Sequence, residues 1–400
     1  MQNWKGNNMV EWKTIGDICY ISDYVSNGSF ASLRENVQYR NEPDYAILVR
    51  FADYSNGFDK SKFVYINEHA YNFLSKSSLE GGEIIMSNVG SCGLLFRCPK
   101  LDRKMSLAPN SILIKSDYID YLYYWLGSNA GQEEIKKITS KSAMPKFNKT
   151  EFKKISLPVP SLSEQNRIVG ILDTFTASIE NLKQQISERR KQYEHYRDQL
   201  LDLEGKPGVE VKTLGDIMQI VRGASPRPIK NFITTREDGV NWIKIGDVAP
   251  GTKYITCCNE KITKDGADKS RFLHVGDFIL SNSMSFGRPY ILKIDGCIHD
   301  GWIAMSDFEK YVLPDFLYEY LNSDVVQKYW IMKANNGGAM TNLNSDIVKE
   351  TPIRIPSFLE QQRIVSILDT FEASIQNLEE QLKLREKQYE YYRNKLLTFD

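Results

Sequence analysis

The chain has 400 residues, 51 basic against 51 acidic side chains, and 42% hydrophobic residues. At about 100–200 residues per domain this is two or three domains. An ordinary apolar fraction without net charge excludes a disordered chain. No run approaches the ~18 apolar residues of a membrane helix. Met1-Gln-Asn-Trp-Lys5 opens without an apolar signal core, so the expectation is a cytoplasmic protein without a membrane partner.

Short β-like runs are predicted at 45–51, 83–87 and 111–115, and helices at 120–128 and 131–138. The proline-bearing stretch Leu157-Pro-Val-Pro-Ser161 follows, and then a heptad pattern. Ile168, Phe175, Leu182, Arg189, Tyr196 and Leu203 fall seven apart, with Leu172, Ile179, Ile186, Tyr193 and Leu200 between them. Steps of four and three sustained this long are a coiled-coil seam. Ser161 or Ser163 is the natural N-cap, and Glu204-Gly-Lys-Pro-Gly208 supplies the stop. Further strands are predicted at 241–245, 277–280 and 290–294, and helices at 314–323 and 325–333. After Thr351-Pro-Ile-Arg-Ile-Pro-Ser357, with Ser357 as N-cap, a second seam runs through Ile364, Phe371, Leu378, Arg385, Tyr392 and Phe399. Leu368, Ile375, Leu382, Tyr389 and Leu396 alternate with them.

The halves repeat. Val10-Glu-Trp-Lys-Thr-Ile-Gly-Asp-Ile18 returns as Val209-Glu-Val-Lys-Thr-Leu-Gly-Asp-Ile217, and 25 of the 38 residues from Glu164 to Leu201 recur from Glu360 to Leu397. Between these anchors the match is faint, as in Gly82-Glu-Ile-Ile-Met-Ser-Asn88 against Gly276-Asp-Phe-Ile-Leu-Ser-Asn282. The division is a first variable domain at 1–160, a helical spacer at 161–204, a second variable domain at 205–356 and a helical spacer at 357–400. The expected fold class is α+β: two similar domains joined by two long antiparallel coiled-coil helices with pseudo-two-fold symmetry. About 37 residues at 1.5 Å each make a rod of ~55 Å, comparable to one or two turns of duplex DNA.

Chemistry is sparse. There is no phosphate-binding glycine loop, no zinc-protease helix and no nucleophile elbow. Cys19, Cys92, Cys98, Cys257, Cys258 and Cys297 form no Cys-x-x-Cys pair, and only four histidines accompany them; reduced thiols are expected, with no metal. His299-Asp300 reads as a surface pair rather than a catalytic dyad. The aromatic clusters at 121–125 and 316–320 read as core, and seam arginines Arg189 and Arg385 as register-fixing side chains.

Glu164-Gln-x-Arg-Ile-Val and Glu360-Gln-x-Arg-Ile-Val, each after a proline-containing strand end and before Ile-Leu-Asp-Thr-Phe, resemble the specificity subunits of type I restriction-modification systems. The resemblance covers essentially the whole chain. It implies a non-catalytic protein with two target-recognition domains, each reading one half of a split double-stranded DNA sequence. It implies helices that separate the half-sites and dock methyltransferase subunits, two of them expected, together with restriction subunits if the system has them. The docking seam would be Ile168, Leu172, Phe175, Ile179 and Leu182 with Ile364, Leu368, Phe371, Ile375 and Leu378. It implies no cofactor on this chain, with S-adenosylmethionine on the methyltransferase partner, which methylates adenine N6.

Base readout uses Arg for guanine, Asn or Gln for adenine, and shorter polar groups beside them. Turn-like loops offering such groups are the candidate DNA contacts, although solvated turns use the same residue types. In the first half they are Asn27, Ser29, Arg34, Asn88, Ser91, Lys141, Lys146 and Asn148. In the second they are Arg222, Ser225, Arg227, Lys230, Asn282, Ser285, Arg288, Lys333, Asn335, Asn336 and Asn342. Arg222, Arg227 and Arg288 are favoured for guanine, and Lys141 and Lys146 for phosphate. By segment the charge is +3 for 1–160, +1 for 205–356 and −2 for each helical spacer. With phosphate neutralisation that modest, the isolated chain is expected to bind DNA weakly. A coiled-coil scaffold with two protein-binding end domains is the alternative that the neutral charge leaves open.

Overall fold

The computed structural model describes residues 10–248, 251–282, 286–334 and 342–399. The chain packs as two compact units, one of residues 1–183 with 381–400 and the other of residues 184–380. Each unit therefore holds one variable domain and half of each long helix.

In the first unit, Tyr20–Asp23, Ser111–Lys115, Ile84–Ser87 and Leu95–Arg97 form an antiparallel sheet in that order. A second sheet orders Tyr65–Ile66, Ala46–Val49, Lys104–Leu107 and Ser78–Leu79, with the central pair parallel. Glu11–Thr14 pairs antiparallel with Ser156–Val159, so the strand that enters the domain is tied to the one that leaves it. Helix Ile119–Gly127 buries Tyr121, Leu122, Tyr124 and Trp125. These pack with Ile84, Met86, Ile112 and Ile114 of the first sheet and with Ile168, Leu172 and Leu397 of the long helices in one core. The aromatic cluster is thus core, as its helical spacing predicts.

The second unit repeats this plan with longer sheets. Gln219–Arg222, Trp302–Ser306, Phe278–Ser281, Pro289–Leu292 and Tyr254–Ile255 form one sheet. Ile233–Thr234, Glu260–Ile262, Val240–Ile243, Gly296–Ile298 and Arg271–Leu273 form the other. Glu210–Thr213 pairs with Pro352–Ile355 in the register of its counterpart. Helix Pro314–Asn322 buries Phe316, Leu317 and Tyr320 in a core shared with Ile364 and Leu368.

The long helices run over Leu162–Leu201 and Phe358–Leu397. Ser161 and Ser357 cap them, each hydroxyl accepting the amide three residues on at 3.4 Å. Gln165 and Gln361 are buried and lock each first turn to the preceding proline, their side-chain amides donating to Pro160 O at 2.8 Å and Pro356 O at 3.0 Å. This explains the Gln of both Glu-Gln-x-Arg motifs. The Glu and Arg form a two-pronged ion pair one turn apart, Glu164 with Arg167 and Glu360 with Arg363. Inside the first unit the helix halves are antiparallel: Phe175 stacks on Tyr392, and Lys183 reaches Glu386. Inside the second, Tyr196 stacks on Phe371 and Arg190 pairs with Glu379. Arg385 lies over Phe175 at 5.7 Å and Arg189 over Phe371 at 5.8 Å. The seam arginines thus set their charge over the phenylalanine rings.

Candidate nucleic-acid interface

In each unit the polar loops emerge along one edge of the first sheet, where three strand ends lie side by side. In the first unit these are Asp23, Ser87 and Ser111, the last two directly paired. In the second they are Arg222, Ser281 and Trp302, in the same register. Asp23 and Arg222 hold the same ladder position, so one frame carries a buried acid in one copy and an exposed base in the other.

Asn88 and Asn282 are the common pins of these edges. Asn88 N–H donates to Asn110 O at 3.2 Å, and its carbonyl accepts the Phe147 amide at 3.1 Å. Asn282 N–H donates to Gly301 O at 3.2 Å, and its carbonyl accepts the Leu343 amide at 2.9 Å. Both hold the next loop through backbone groups. Asn282 is also buried, with its side-chain amide on Asp300 O at 3.2 Å.

Around the first edge, Asn27 ties its turn together, donating to Tyr24 O at 3.0 Å and Ser77 Oγ at 2.9 Å. Ser29 caps Phe30–Asn36. Arg34 on that helix is exposed and lines a cavity of about 810 Å³ together with Tyr24, Phe30, Tyr39, Asn88 and Asn110. Phe30 is 83% exposed at its rim, an apolar surface suited to a thymine methyl. A bridge between Val89 and Lys146 joins the third loop to the second. Lys141 and Lys146 are exposed there, as is Ser91. Asn148 caps Lys149–Lys153, and Lys149 pairs with Asp23 at 2.7 Å. All three candidate regions of the first half therefore meet on one edge.

Around the second edge, four candidates converge on Asp300. Ser225 Oγ donates to Asp300 Oδ1 at 2.6 Å, and Arg227 donates to Asp300 Oδ2 at 3.1 Å. Arg222 Nε donates to Asp300 O at 3.0 Å, beside the amide of Asn282. The Ser225 hydroxyl holds the Asp300 carboxyl below the usual carboxylate range. The expected surface pair His299-Asp300 is corrected in one respect: His299 is half-buried, tilted against Trp242 and Trp302 with ring centroids 6.3 and 6.4 Å away. Its Nδ1 accepts the Gly301 amide at 2.6 Å, and burial depresses its basicity. It is a structural ring fixing a tight turn.

Lys230 and Arg288 are exposed, and Arg288 lies at this edge, its carbonyl accepting the Ser281 amide at 3.1 Å. Lys333 turns instead toward Glu350 and the Tyr329 ring. Asn342 is exposed beside Leu343, which Asn282 holds. Ser285, Asn335 and Asn336 lie outside the described residues. Of the seam residues, Ile168, Leu172, Ile179, Leu182, Ile364 and Leu368 are buried, whereas Phe175, Phe371, Ile375 and Leu378 are half-covered. Among the described residues there is no cluster of three or more metal-binding side chains, and no helix is long and apolar enough to cross a membrane. Of the cysteines, Cys98 and Cys297 are buried, Cys257 is exposed and the rest are half-buried.

Two copies of one frame, each presenting a different set of polar loops at the same strand ends, define an internally duplicated recognition protein. A family model described as the type I restriction modification DNA specificity domain matches residues 9–189 and again 207–385. The chain belongs to that family of type I restriction-modification specificity subunits, which are non-catalytic. It is 32% identical over 408 residues to a putative type I restriction enzyme specificity subunit of Haemophilus influenzae, covering 98% of this chain and 96% of that one. It is 31% identical over 301 residues to the EcoR124I/EcoR124II specificity subunit of Escherichia coli, covering 70% and 71%. In fold it resembles the S subunit of a type I system from M. genitalium, with TM-score 0.51, 15% identity and 100% and 99% coverage. A chain from a structural study of type I complex assembly and conformational transition gives TM-score 0.65 at 15% identity, covering 99% of each.

Proposed function

We propose that this subunit reads a bipartite DNA target, one half-site per recognition domain, and carries that choice to methyltransferase and restriction subunits docked on its helices. The observation that carries the reading is the paired edge: identical backbone pins at Asn88 and Asn282 support loops that differ in charge and side chain. Arg34, Lys141 and Lys146 in one unit, and Arg222, Arg227 and Arg288 in the other, supply phosphate and guanine chemistry there. S-adenosylmethionine belongs, on this reading, to the methyltransferase partners, of which two would match the two half-sites.

The test is to co-express the chain with its methyltransferase partner and map methylated adenines, then exchange residues 1–160 for those of a relative with another target. One half-site is expected to change and the other to persist. Methylation that ignores the exchange, or recovery of protein partners without a methyltransferase, would support a scaffold instead. We also propose that the two helices set the spacer between half-sites. At 1.5 Å per residue a seven-residue deletion removes about 10 Å, or roughly three base pairs. Deleting one heptad from both helices is expected to shorten the spacer, and an unchanged spacer would sink that idea.

A further inference from the structure

We infer that Asp300 is a positioning residue for base choice in the second recognition domain: it fixes the guanidinium of Arg227, and the segment from Arg222 to Arg227, for one guanine. The inference rests on the proposed reading of this edge as a DNA interface. Asp300 sits on a turn held from several sides. Trp302 N–H donates to His299 O at 3.1 Å, and Gly301 N–H donates to the His299 ring. Trp302 Nε1 donates to Ile243 O at 3.2 Å. Gly223 comes so close that a Cβ there would lie 2.1 Å from His299 O. Onto this turn converge the side chains of Arg222, Ser225, Arg227 and Asn282.

The exposures show what the cluster serves. Arg227 is 79% and Asp300 40% exposed as side chains, so their pair contributes little to the fold. It instead holds the guanidinium by one nitrogen and leaves most of the side chain open to a ligand. A planar guanidinium offers paired donors that match O6 and N7 of guanine. Left to itself an arginine samples many rotamers and is readily captured by a phosphate. A carboxylate beside it restricts the rotamers and repels phosphate, which favours the base edge over the backbone. The first domain has no such device at this place, since Pro109-Asn110 precedes the paired Ser111 where Asp300-Gly301 precedes Trp302. Its half-site is therefore an internal control.

The experiment uses the complex with methyltransferase partners and targets in which each base of both half-sites is changed in turn. Asp300→Ala is expected to lower discrimination about tenfold at one position of one half-site, leaving the other half-site unmoved. Asp300→Asn, which still accepts from Ser225 but lacks the charge, should fall between Asp300→Ala and wild type. Arg227→Ala should relax the same position, and the double variant should lose no more than Arg227→Ala alone, because both act through one contact. A merely structural role would lower the melting temperature and the methylation rate without altering base preference. Unchanged preference in Asp300→Ala and Asp300→Asn, or additive losses in the double variant, would overturn the assignment. Exchange of residues 205–356 in the same assay separates the two levels. If the exchange moves the half-site and the Asp300 variants do not, only the positioning role falls; if the exchange moves nothing, the DNA-reading proposal falls with it.

Discussion

Gly223→Ala is expected to abolish base discrimination in the half-site of the second recognition domain while leaving the first half-site as specific as before. Gly223 N–H donates to Trp302 O at 2.8 Å, which continues the ladder one residue beyond Gln219–Arg222. An added Cβ would meet His299 O at 2.1 Å and His299 C at 2.9 Å. Both are backbone atoms, so no side chain can swing aside. Either the His299–Gly301 turn or the strand end must move by about an ångström, at a cost of about 1–3 kcal/mol. Asp300 rides on that turn, so its grip on Ser225 and Arg227 moves with it. Gly246→Ala is the matched control in the same domain, because nothing lies within 4 Å of its added Cβ. Methylation of base-substituted targets by the assembled complex, with thermal unfolding alongside, checks the prediction. A Gly223→Ala complex that keeps full discrimination would show that the turn does not set base choice.

What the sequence displays well is periodic. The heptads placed the long helices and their serine caps closely, because a seam seven residues apart leaves little choice of face. Runs such as Ile84–Ser87 and Ser111–Lys115 are also visible, since every residue except Lys115 is buried and apolar or small. Short strands such as Tyr65–Ile66 and Arg271–Leu273 are not, for two or three residues carry no period. The interface was legible only as loops. Asn88 and Asn282 stood out by residue type, yet their backbone groups bind loops some 60 residues away, at Phe147 and Leu343, and no local pattern encodes that. Asp300 is hidden for the same reason. Its significance depends on Ser225 and Arg227, more than 70 residues earlier, and on a histidine wedged beside Trp242. The equivalence of Asp23 and Arg222 follows from extending the Val10–Ile18 and Val209–Ile217 repeat without a gap, and strand register agrees with it; what no alignment shows is that these residues border the loops.

Below the recognition loops, where the second domain meets the helices of its own unit, Glu319→Gln is expected to stabilise that unit above pH 7 and to change little at pH 4.5. Glu319 lies on helix Pro314–Asn322 with 2% of its surface exposed. The Tyr193 hydroxyl of the first long helix donates to it at 2.6 Å and also lies 3.5 Å from Glu372 of the second. Lys253, paired with Asp315 at 2.8 Å, and Arg197 are the cations whose fields reach it. Burial is the largest influence and the Glu372 carboxylate adds to it; the Tyr193 hydroxyl, Lys253 and Arg197 oppose them, and the Glu319 carboxyl is pushed up to about 7. At the matching place the first unit has Tyr124, whose hydroxyl donates to Asp173, so only one of the two joints buries an acid this way. The unfolded chain releases this proton near 4.5, whereas the folded unit retains it to about 7. Stability therefore falls as pH rises between those values and is level above them, a loss on the order of 3 kcal/mol. Glutamine keeps an acceptor for Tyr193 without a charge to desolvate, so its advantage should grow through that window. For a unit of this size, that corresponds to a melting temperature roughly 5–10 °C higher at pH 8. Thermal unfolding of both proteins at pH 4.5, 6 and 8 measures it. Curves that stay parallel across the range would show that Glu319 is already ionised in the folded protein and balanced by Lys253 and Arg197.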